Sequence, residues 1–376
     1  DPAVMALVAA YEARTISRDK MITDLFKSTE GQTIYPATLD DAGFVDLLYA
    51  NCLNRAPNTA ERETALAALA GGTARAEVAR QLVITAEYAS FWRSHGDVAT
   101  YLRLVAKTAA ALKQVNPTIT VIAGAVGGKD RSWLEKMVQG GALASVDALS
   151  IHPYNFGEGV NGTPEKLLDW LDEAEASLVQ LAGGKEVPLY VTEIGWPTHT
   201  GTASTTPETS GDYLARLYLL ARTRPYLKGI YWYDFQDDGT SPTTIEQNFG
   251  IVRNDLTPKP AYERLAAIAG PVGYGLSAER LPTDPDLVAV RLHREDGTTT
   301  VALWVAKVGA SCDVTLTPSG SVPLSISSTA SGLGDAKSVG SVTVGPITLR
   351  VAATPLLVTG TLDGLRLAPN WLAPTQ

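Results

Sequence analysis

The sequence predicts a multidomain chain in three parts. These are an α-helical repeat domain over residues 1–92, an α/β region over 93–270, and an antiparallel β-sandwich with a tail over 271–376. Three observations predict it. Apolar residues recur at helical spacing in the first part. Short apolar runs alternate with amphipathic stretches in the second, and alternating strands are punctuated by Ser, Thr and Gly in the third.

In the helical part, Phe44, Leu47 and Leu48, then Val78, Leu82 and Val83, mark the apolar faces. Asn54-Arg55-Ala56-Pro57-Asn58 and Ala70-Gly71-Gly72-Thr73 interrupt them as turns. An internal repeat runs through this part at an offset of 57 residues. Ser28-Thr29-Glu30 aligns with Thr85-Ala86-Glu87, and Ile34-Tyr35 with Phe91-Trp92. Met21, Leu25 and Phe26 stand against Val78, Leu82 and Val83. The second copy is whole from 42 to 92, and the first lacks its front half. A repeat cannot bury its apolar face without its neighbours. The expectation is that Asp1 is not the natural start of the polypeptide.

In the α/β part, residues 101–115 form an amphipathic helix ending at Asn116-Pro117, and 119–125 an apolar strand ending in glycines. Helix 133–138 follows, then strand 146–151 running into His152-Pro153-Tyr154. Helix 164–181 leads to strand 188–192, which ends at Glu193. Helix 210–223, strand 229–233 ending at Asp234, and helix 261–269 complete the run. Such alternation implies a parallel sheet with crossover helices. Polar and aromatic residues gather just past the strands' C-terminal ends, where barrel active sites lie. In the third part, strands 287–292 and 300–305 flank Glu295-Asp296-Gly297, a hairpin signal. Two readings stand for this sandwich: a structural partner packed on the barrel, or a carbohydrate-binding surface.

Bulk properties narrow the partners. The chain's 376 residues exceed one ordinary domain. Its net charge is −9 with scattered basic residues, which argues against nucleic acid. No run of about 18 apolar residues occurs, so no membrane span is expected. Asp1-Pro2-Ala3-Val4 lacks the features of a signal peptide, and a removed signal leaves the compartment open. Cys52 and Cys312 have no metal or redox spacing and read as plain thiols. His95, His152, His199 and His293 are dispersed, so no metal site is expected.

Glu193 carries the sharpest chemical signal. It follows an apolar strand and precedes Gly195-Trp196-Pro197, a sharp exit. A charge at the end of a buried strand costs solvation energy unless it is used or paired. It is either a catalytic carboxylate or a rim glutamate paired with an arginine.

Two resemblances attach to these residues. Phe44-Val45-Asp46-Leu47-Leu48-Tyr49, Leu53-Asn54-Arg55-Ala56-Pro57 and Thr85-Ala86-Glu87-Tyr88 resemble a bacterial helical domain of unknown function. That domain is similar to phycobilisome linkers and recurs in surface and calcium-repeat proteins. The likeness implies an extracellular or cell-surface place, in a secreted bacterial or phage-like assembly. The segment 91–269 resembles the clan A retaining glycosidases, of the family 39 and family 5 types. The likeness rests on Phe91-Trp92 with Asp97 and Tyr101, and on Asp147-Ala148-Leu149-Ser150-Ile151-His152-Pro153-Tyr154. It continues through Thr192-Glu193-Ile194-Gly195-Trp196 and Tyr231-Trp232-Tyr233-Asp234-Phe235. Asn248-Phe249-Gly250 and Pro258-Lys259-Pro260-Ala261-Tyr262 end it.

This second resemblance implies the C-terminal half of a (β/α)8 TIM barrel, strands five to eight, with Glu193 as nucleophile. Retaining glycosidases place two carboxyl groups about 5–5.5 Å apart and pass through a covalent intermediate. No metal or organic cofactor is implied, and the implied substrate is a β-linked polysaccharide or oligosaccharide. Substrate-binding candidates follow by likeness. His152 and Tyr154 would touch Glu193 or the sugar, or else form a rigid turn and a packing ring. Trp232 would floor the sugar site, with Tyr231 and Tyr233 competing for the outward position. Trp196 is equally a sugar contact or a packing residue. Asp234, with Asp237 and Asp238, either binds hydroxyls or belongs to a solvated acidic loop.

The departures matter as much. Strands one to four are not found, and with them the Asn-Glu pair that supplies the acid/base. Glu87-Tyr88 lies close to its place, but Glu87 is better explained as the repeat's own glutamate, since Glu30 matches it. The expectation is that the helical repeats are inserted after strand four. The rest of the barrel, with the acid/base, would lie upstream of Asp1 or on another chain. A rival reading is a non-catalytic carbohydrate-binding surface or appendage protein on a degenerate barrel. Finally, 198–210 reads as a loop with little to pin it. It is expected to wall a sugar groove with Trp196 and Trp232, and shortening it should leave thermal stability nearly unchanged.

Overall fold

A computed structural model of the chain describes residues 16–53, 55–83, 85, 98–273, 277–294, 297–317, 324–330, 346–360, 362 and 365–372, with the side chains of Arg18, Asp19 and Glu30 left out. Ala86, Glu87, Tyr88, Phe91, Trp92 and Asp97, and Glu295 with Asp296 of the expected hairpin turn, lie outside the described residues. The chain divides into two compact units, Asp1–Tyr101 and Leu102–Gln376.

The first unit is helical: α1 Arg18–Lys27, α2 Thr29–Ile34, α3 Asp41–Leu53, α4 Thr59–Ala70 and α5 Arg75–Val83. A capping box starts α4, in which the Asn58 side chain accepts from Glu61 N and the Glu61 carboxylate reaches back to Asn58 N. Phe44, Val45, Leu48, Val78, Ala79 and Leu82 form the core. Phe26 stacks on Tyr35 at 5.1 Å, and both meet Phe44 edge-on. Helices α1 and α5 begin at Arg18 and Arg75, and Ser28 and Thr85 each bond through N and the side-chain hydroxyl to the carbonyl three residues back.

The second unit opens in α6 (Val98–Val115) and alternates strand and helix: β1 Ile122–Gly127, α7 Arg131–Gln139, β2 Ala148–His152, α8 Pro164–Leu181, β3 Leu189–Ile194, α9 Pro207–Ala221, β4 Leu227–Trp232 and α10 Pro260–Val272. Three helices start at X-Pro, at Pro164, Pro207 and Pro260, where the missing N–H would be unpaired in any case. Thr163 and Thr206 cap the first two by accepting from Lys166 N and Thr209 N. The four strands pair in parallel in the order β1-β2-β3-β4. Helix α8 turns Leu167, Leu168, Leu171, Ala174 and Leu178 inward, and strands β2 and β3 bury Leu149, Ile151, Leu189, Val191 and Ile194. This parallel sheet is consistent with a TIM-barrel-like fold.

The chain then forms two antiparallel sheets. Strands β5 Ser277–Arg280, β6 Leu287–His293, β7 Thr299–Val305, β9 Ser325–Ser328 and β11 Leu356–Gly360 make one, in the order β5-β6-β7-β11-β9. Strands β8 Cys312–Thr317, β10 Ile347–Val351 and β12 Arg366–Trp371 make the other, in the order β10-β8-β12. Their shared core includes Leu287, Leu303, Val314, Leu316, Val351 and Val358. Polar bonds tie this part to the α/β part. Arg216 pairs with Glu165, whose Oε1 also accepts from Trp304 Nε1 at 2.8 Å. Asp212 accepts from Arg264 and from the Thr354 hydroxyl. Cys52 and Cys312 are free thiols, and burial pushes the Cys52 thiol up to about 11. Among the described residues no helix is long and apolar enough to cross a membrane.

Candidate active site

The ends of β2, β3 and β4 and the loops that follow them meet around Glu193. The register of β3 against β4 shifts between Val191 and Ile194, which are both buried. The shift breaks strict alternation and leaves Glu193 turned out at the strand's end, with its side chain 40% exposed. Gly195 makes the exit tight, because a Cβ there would stand 2.1 Å from Tyr233 O. No side chain larger than hydrogen fits between the ends of β3 and β4.

Two groups from the end of β2 converge on one carboxylate oxygen. The Tyr154 hydroxyl donates to Glu193 Oε2 at 3.2 Å, and His152 Nδ1 lies 3.2 Å from the same oxygen. His152 Nε2 is 2.9 Å from the Thr192 hydroxyl. A neutral imidazole satisfies both contacts when Nδ1–H donates to Glu193 and Nε2 accepts from Thr192. Burial, and next the Glu193 charge, push the Tyr154 phenol far above its ordinary range, so it stays protonated and donating. Tyr154 is wedged in a ring cluster with Phe156, Tyr233 and Phe249, at centroid distances of 5.7, 6.4 and 5.9 Å. Both His152 and Tyr154 are therefore placed against the carboxylate.

The tryptophans divide. Trp196 is 1% exposed, its Nε1 donates to Gly162 O at 2.7 Å, and it packs edge-on against Tyr213. It has no free face for a sugar, which corrects the half of the sequence reading that made it a contact. Trp232 is half-buried, 5.7 Å from the Trp196 ring, and donates through Nε1 to Phe249 O. Tyr231, its competitor, is 56% exposed.

The loop after β4 is not a uniformly solvated acidic loop. Asp237 is buried and accepts from Lys259 Nζ at 2.8 Å and Gly250 N at 2.9 Å. Burial draws the Lys259 ammonium down despite this partner. The pair clamps the loop to the start of α10, a role that the Pro258-Lys259-Pro260 motif carried unnoticed. Asp238 is exposed. Asp234 is half-buried, with Oδ1 enclosed and unbonded among the described residues. Burial, then the charges of Asp238 and Asp237, push its carboxyl up to about 6. Glu246 adds a further negative charge felt by Tyr154 and Tyr233, and nothing in the sequence singled it out.

The segment after β3 also differs from expectation. Helix α9 starts at Pro207, so the loop is shorter, and it is pinned. Thr198 bonds Asn248 O, Thr200 bonds Pro242 O and Thr205 bonds Pro197 O, each through both N and hydroxyl. His199 is buried at 5% exposure, with Nε2 3.1 Å from Thr202 O.

The parallel sheet with its crossover helices is consistent with a glycosidase-like fold, and the carboxylate, hydroxyl and imidazole meet at the C-terminal end of its strands. One comparison agrees in fold. A family 39 glycoside hydrolase from the gut symbiont Bacteroides cellulosilyticus WH2 is 27% identical, with a TM-score of 0.54, over 69% of this chain and 54% of that one. A family 51 α-L-arabinofuranosidase, AbfB, from Bifidobacterium longum matches more weakly: 14% identity, TM-score 0.46, 70% of this chain and 64% of that one. A GH39 β-xylosidase from Caulobacter crescentus gives 14%, 0.41, 70% and 62%. This chain thus spans about half the length of the family 39 enzyme. Residues 22–91 match a domain of unknown function, DUF4214. No curated protein matches the chain.

Proposed function

We propose that this chain supplies the second half of the (β/α)8 barrel of a retaining glycoside hydrolase, with β1 to β4 as strands five to eight. The observation that carries the reading is the Glu193 carboxylate at the end of β3, held by Tyr154 and His152. Glu193 attacks the anomeric carbon of a β-linked polysaccharide or oligosaccharide, and the glycosidic C–O bond breaks. A glutamate on the completing segment protonates the leaving oxygen. The same glutamate then deprotonates the water that cleaves the covalent glycosyl-enzyme. Trp232 floors the sugar and Asp234 binds a hydroxyl.

The completing segment lies upstream or on another chain, with the helical module inserted after strand four. Within the described sheet β1 and β4 each pair on one side only. A cavity of about 530 Å³ adjoins β4, lined by Tyr218, Leu227, Gly229, Ile230 and Val272 and by Ser277 of β5. Unpaired edges are a template for further strands. The linker-like character of the helical module, and a place outside the cell or on its surface, belong to the same reading.

The test is trapping with 2-deoxy-2-fluoro glycosides that carry a dinitrophenyl leaving group. That group departs without protonation, so the reaction does not need the acid/base. The expected result is a single mass increment mapped to the Glu193 peptide and absent from Glu193→Gln. A label that survives Glu193→Gln would sink the assignment. No label from xylosyl, glucosyl and galactosyl reagents would leave the non-catalytic, carbohydrate-binding rival.

A further inference from the structure

Trp371 stands at an open end of the sandwich. In the antiparallel register of β12 on β8, Leu367 pairs with Leu316, Pro369 with Val314 and Trp371 with Cys312. Cys312, Val314 and Leu316 are fully buried. Residues directly opposite on an antiparallel pair share a face, so Trp371 belongs to the core-facing set. It is nevertheless 37% exposed. Pro369 on the same face is exposed as well, so the cover ends before both, and a cavity of about 620 Å³ opens at Trp371. That volume lies within the range of ordinary small-ligand sites, about 300–1,000 Å³.

The rim is built rather than frayed. Asp286 N donates to Asp284 Oδ1, and Leu287 N to Asp284 O, which closes the turn between β5 and β6. Ala310 N donates to Lys307 O in the turn between β7 and β8, where Gly309 takes a left-handed φ of 72°. Leu372 N donates to Ser311 O, which holds the end of β12 to this rim. The charged residues lining the cavity are Asp284, Asp286, Lys307 and Arg350. Lys307 lies 3.9 Å from Asp286, and Arg350 pairs with Asp313 on β8, so charges of both signs alternate around the rim. A flat indole suits the C–H face of a sugar ring. Carboxylates accept from hydroxyls, while ammonium and guanidinium groups donate to them. Asp284, Asp286 and Asp313 outnumber Lys307 and Arg350, which disfavours an anionic lipid or an acidic polymer.

We propose that this open end of the sandwich, with Trp371 in its wall, is a second carbohydrate-binding site that takes a neutral pyranose unit of a polysaccharide. It stands apart from Glu193 and does not depend on catalysis there.

Affinity electrophoresis of the protein tests the proposal, in native gels containing arabinoxylan, a β-1,3-glucan, a mixed-linkage β-glucan, hydroxyethyl cellulose or alginate. At least one neutral glycan retards the protein and the retardation persists in Glu193→Gln. Trp371→Ala weakens the apparent affinity at least about tenfold, and Trp371→Phe restores part of it. The Lys307→Ala and Asp286→Ala variants change exposed or half-exposed rim residues outside the core, and each weakens retardation severalfold with an unchanged melting temperature. Retardation unchanged in all four rim variants overturns the proposal. So does retardation by alginate alone, or by none of the five glycans.

Discussion

The Tyr154 hydroxyl donates to the same Glu193 oxygen that His152 Nδ1 approaches, both at 3.2 Å, so both groups meet on one carboxylate oxygen. A hydrogen bond to a charged group contributes about 1.5–3 kcal/mol. Tyr154→Phe removes one such bond while keeping the ring among Phe156, Tyr233 and Phe249. The expected result is a fall in kcat/KM of about 10- to 100-fold, measured with an aryl glycoside, and a melting temperature close to that of the parent. A loss of folding in place of activity would mean that the hydroxyl is structural.

Asp234 is expected to give stability a pH dependence of unusual sign. Its folded pKa is raised to about 6, chiefly by burial and then by Asp238 and Asp237. Between the ordinary aspartate range and about 6 the folded state holds the proton more tightly than the unfolded state. Stability from this group is therefore highest at low pH and declines as pH rises through that window. Asp234→Asn removes the decline. Chemical denaturation at pH 4.5 and pH 7.5, parent against variant, reads it, and parallel pH profiles would refute it.

Glu165 holds the sandwich to the α/β part. Burial works hardest against its charge, but the Arg216 guanidinium and the Trp304 indole N–H together keep the carboxyl below its usual range. The side chains are 11% and 3% exposed. Glu165→Ala strands a buried arginine charge, at a cost of about 3–5 kcal/mol. The melting temperature should fall by roughly 6–20 °C. In the parent, this contribution is complete above the ordinary glutamate range and is lost as pH falls through the depressed folded pKa. Calorimetry checks both statements.

The segment after β3 should behave as a tethered strap. Replacing 200–206 by a Gly-Ser link removes the paired bonds of Thr200 and Thr205 and the Thr206 cap of α9. The expected cost is about 3 kcal/mol, seen as a drop of roughly 6–12 °C. An unchanged melting temperature would restore the freely mobile loop that the sequence suggests.

Sequence alone determined the elements and the chemical focus. Periods of 3.6 and 2 are local signals that specify helices and strands without reference to distant residues, whereas the X-Pro starts at Thr206-Pro207 and Lys259-Pro260 were passed over in placing those helices at 210 and 261. The apolar run before Glu193 was enough to place a carboxylate at a strand's end. What tertiary structure decided was which polar and aromatic side chains are covered. Trp196 and Trp232 read alike in sequence, yet Gly162 and Tyr213 enclose the first while the second remains half-open. Asp237 and Asp234 share one short loop, and only Asp237 meets Lys259, 22 residues away. Trp371 lies on the core-facing side of its strand, opposite buried Cys312, yet it is exposed. Burial depends on partners brought together from far along the chain and on bulges that reset strand parity, and neither leaves a periodic trace in the sequence.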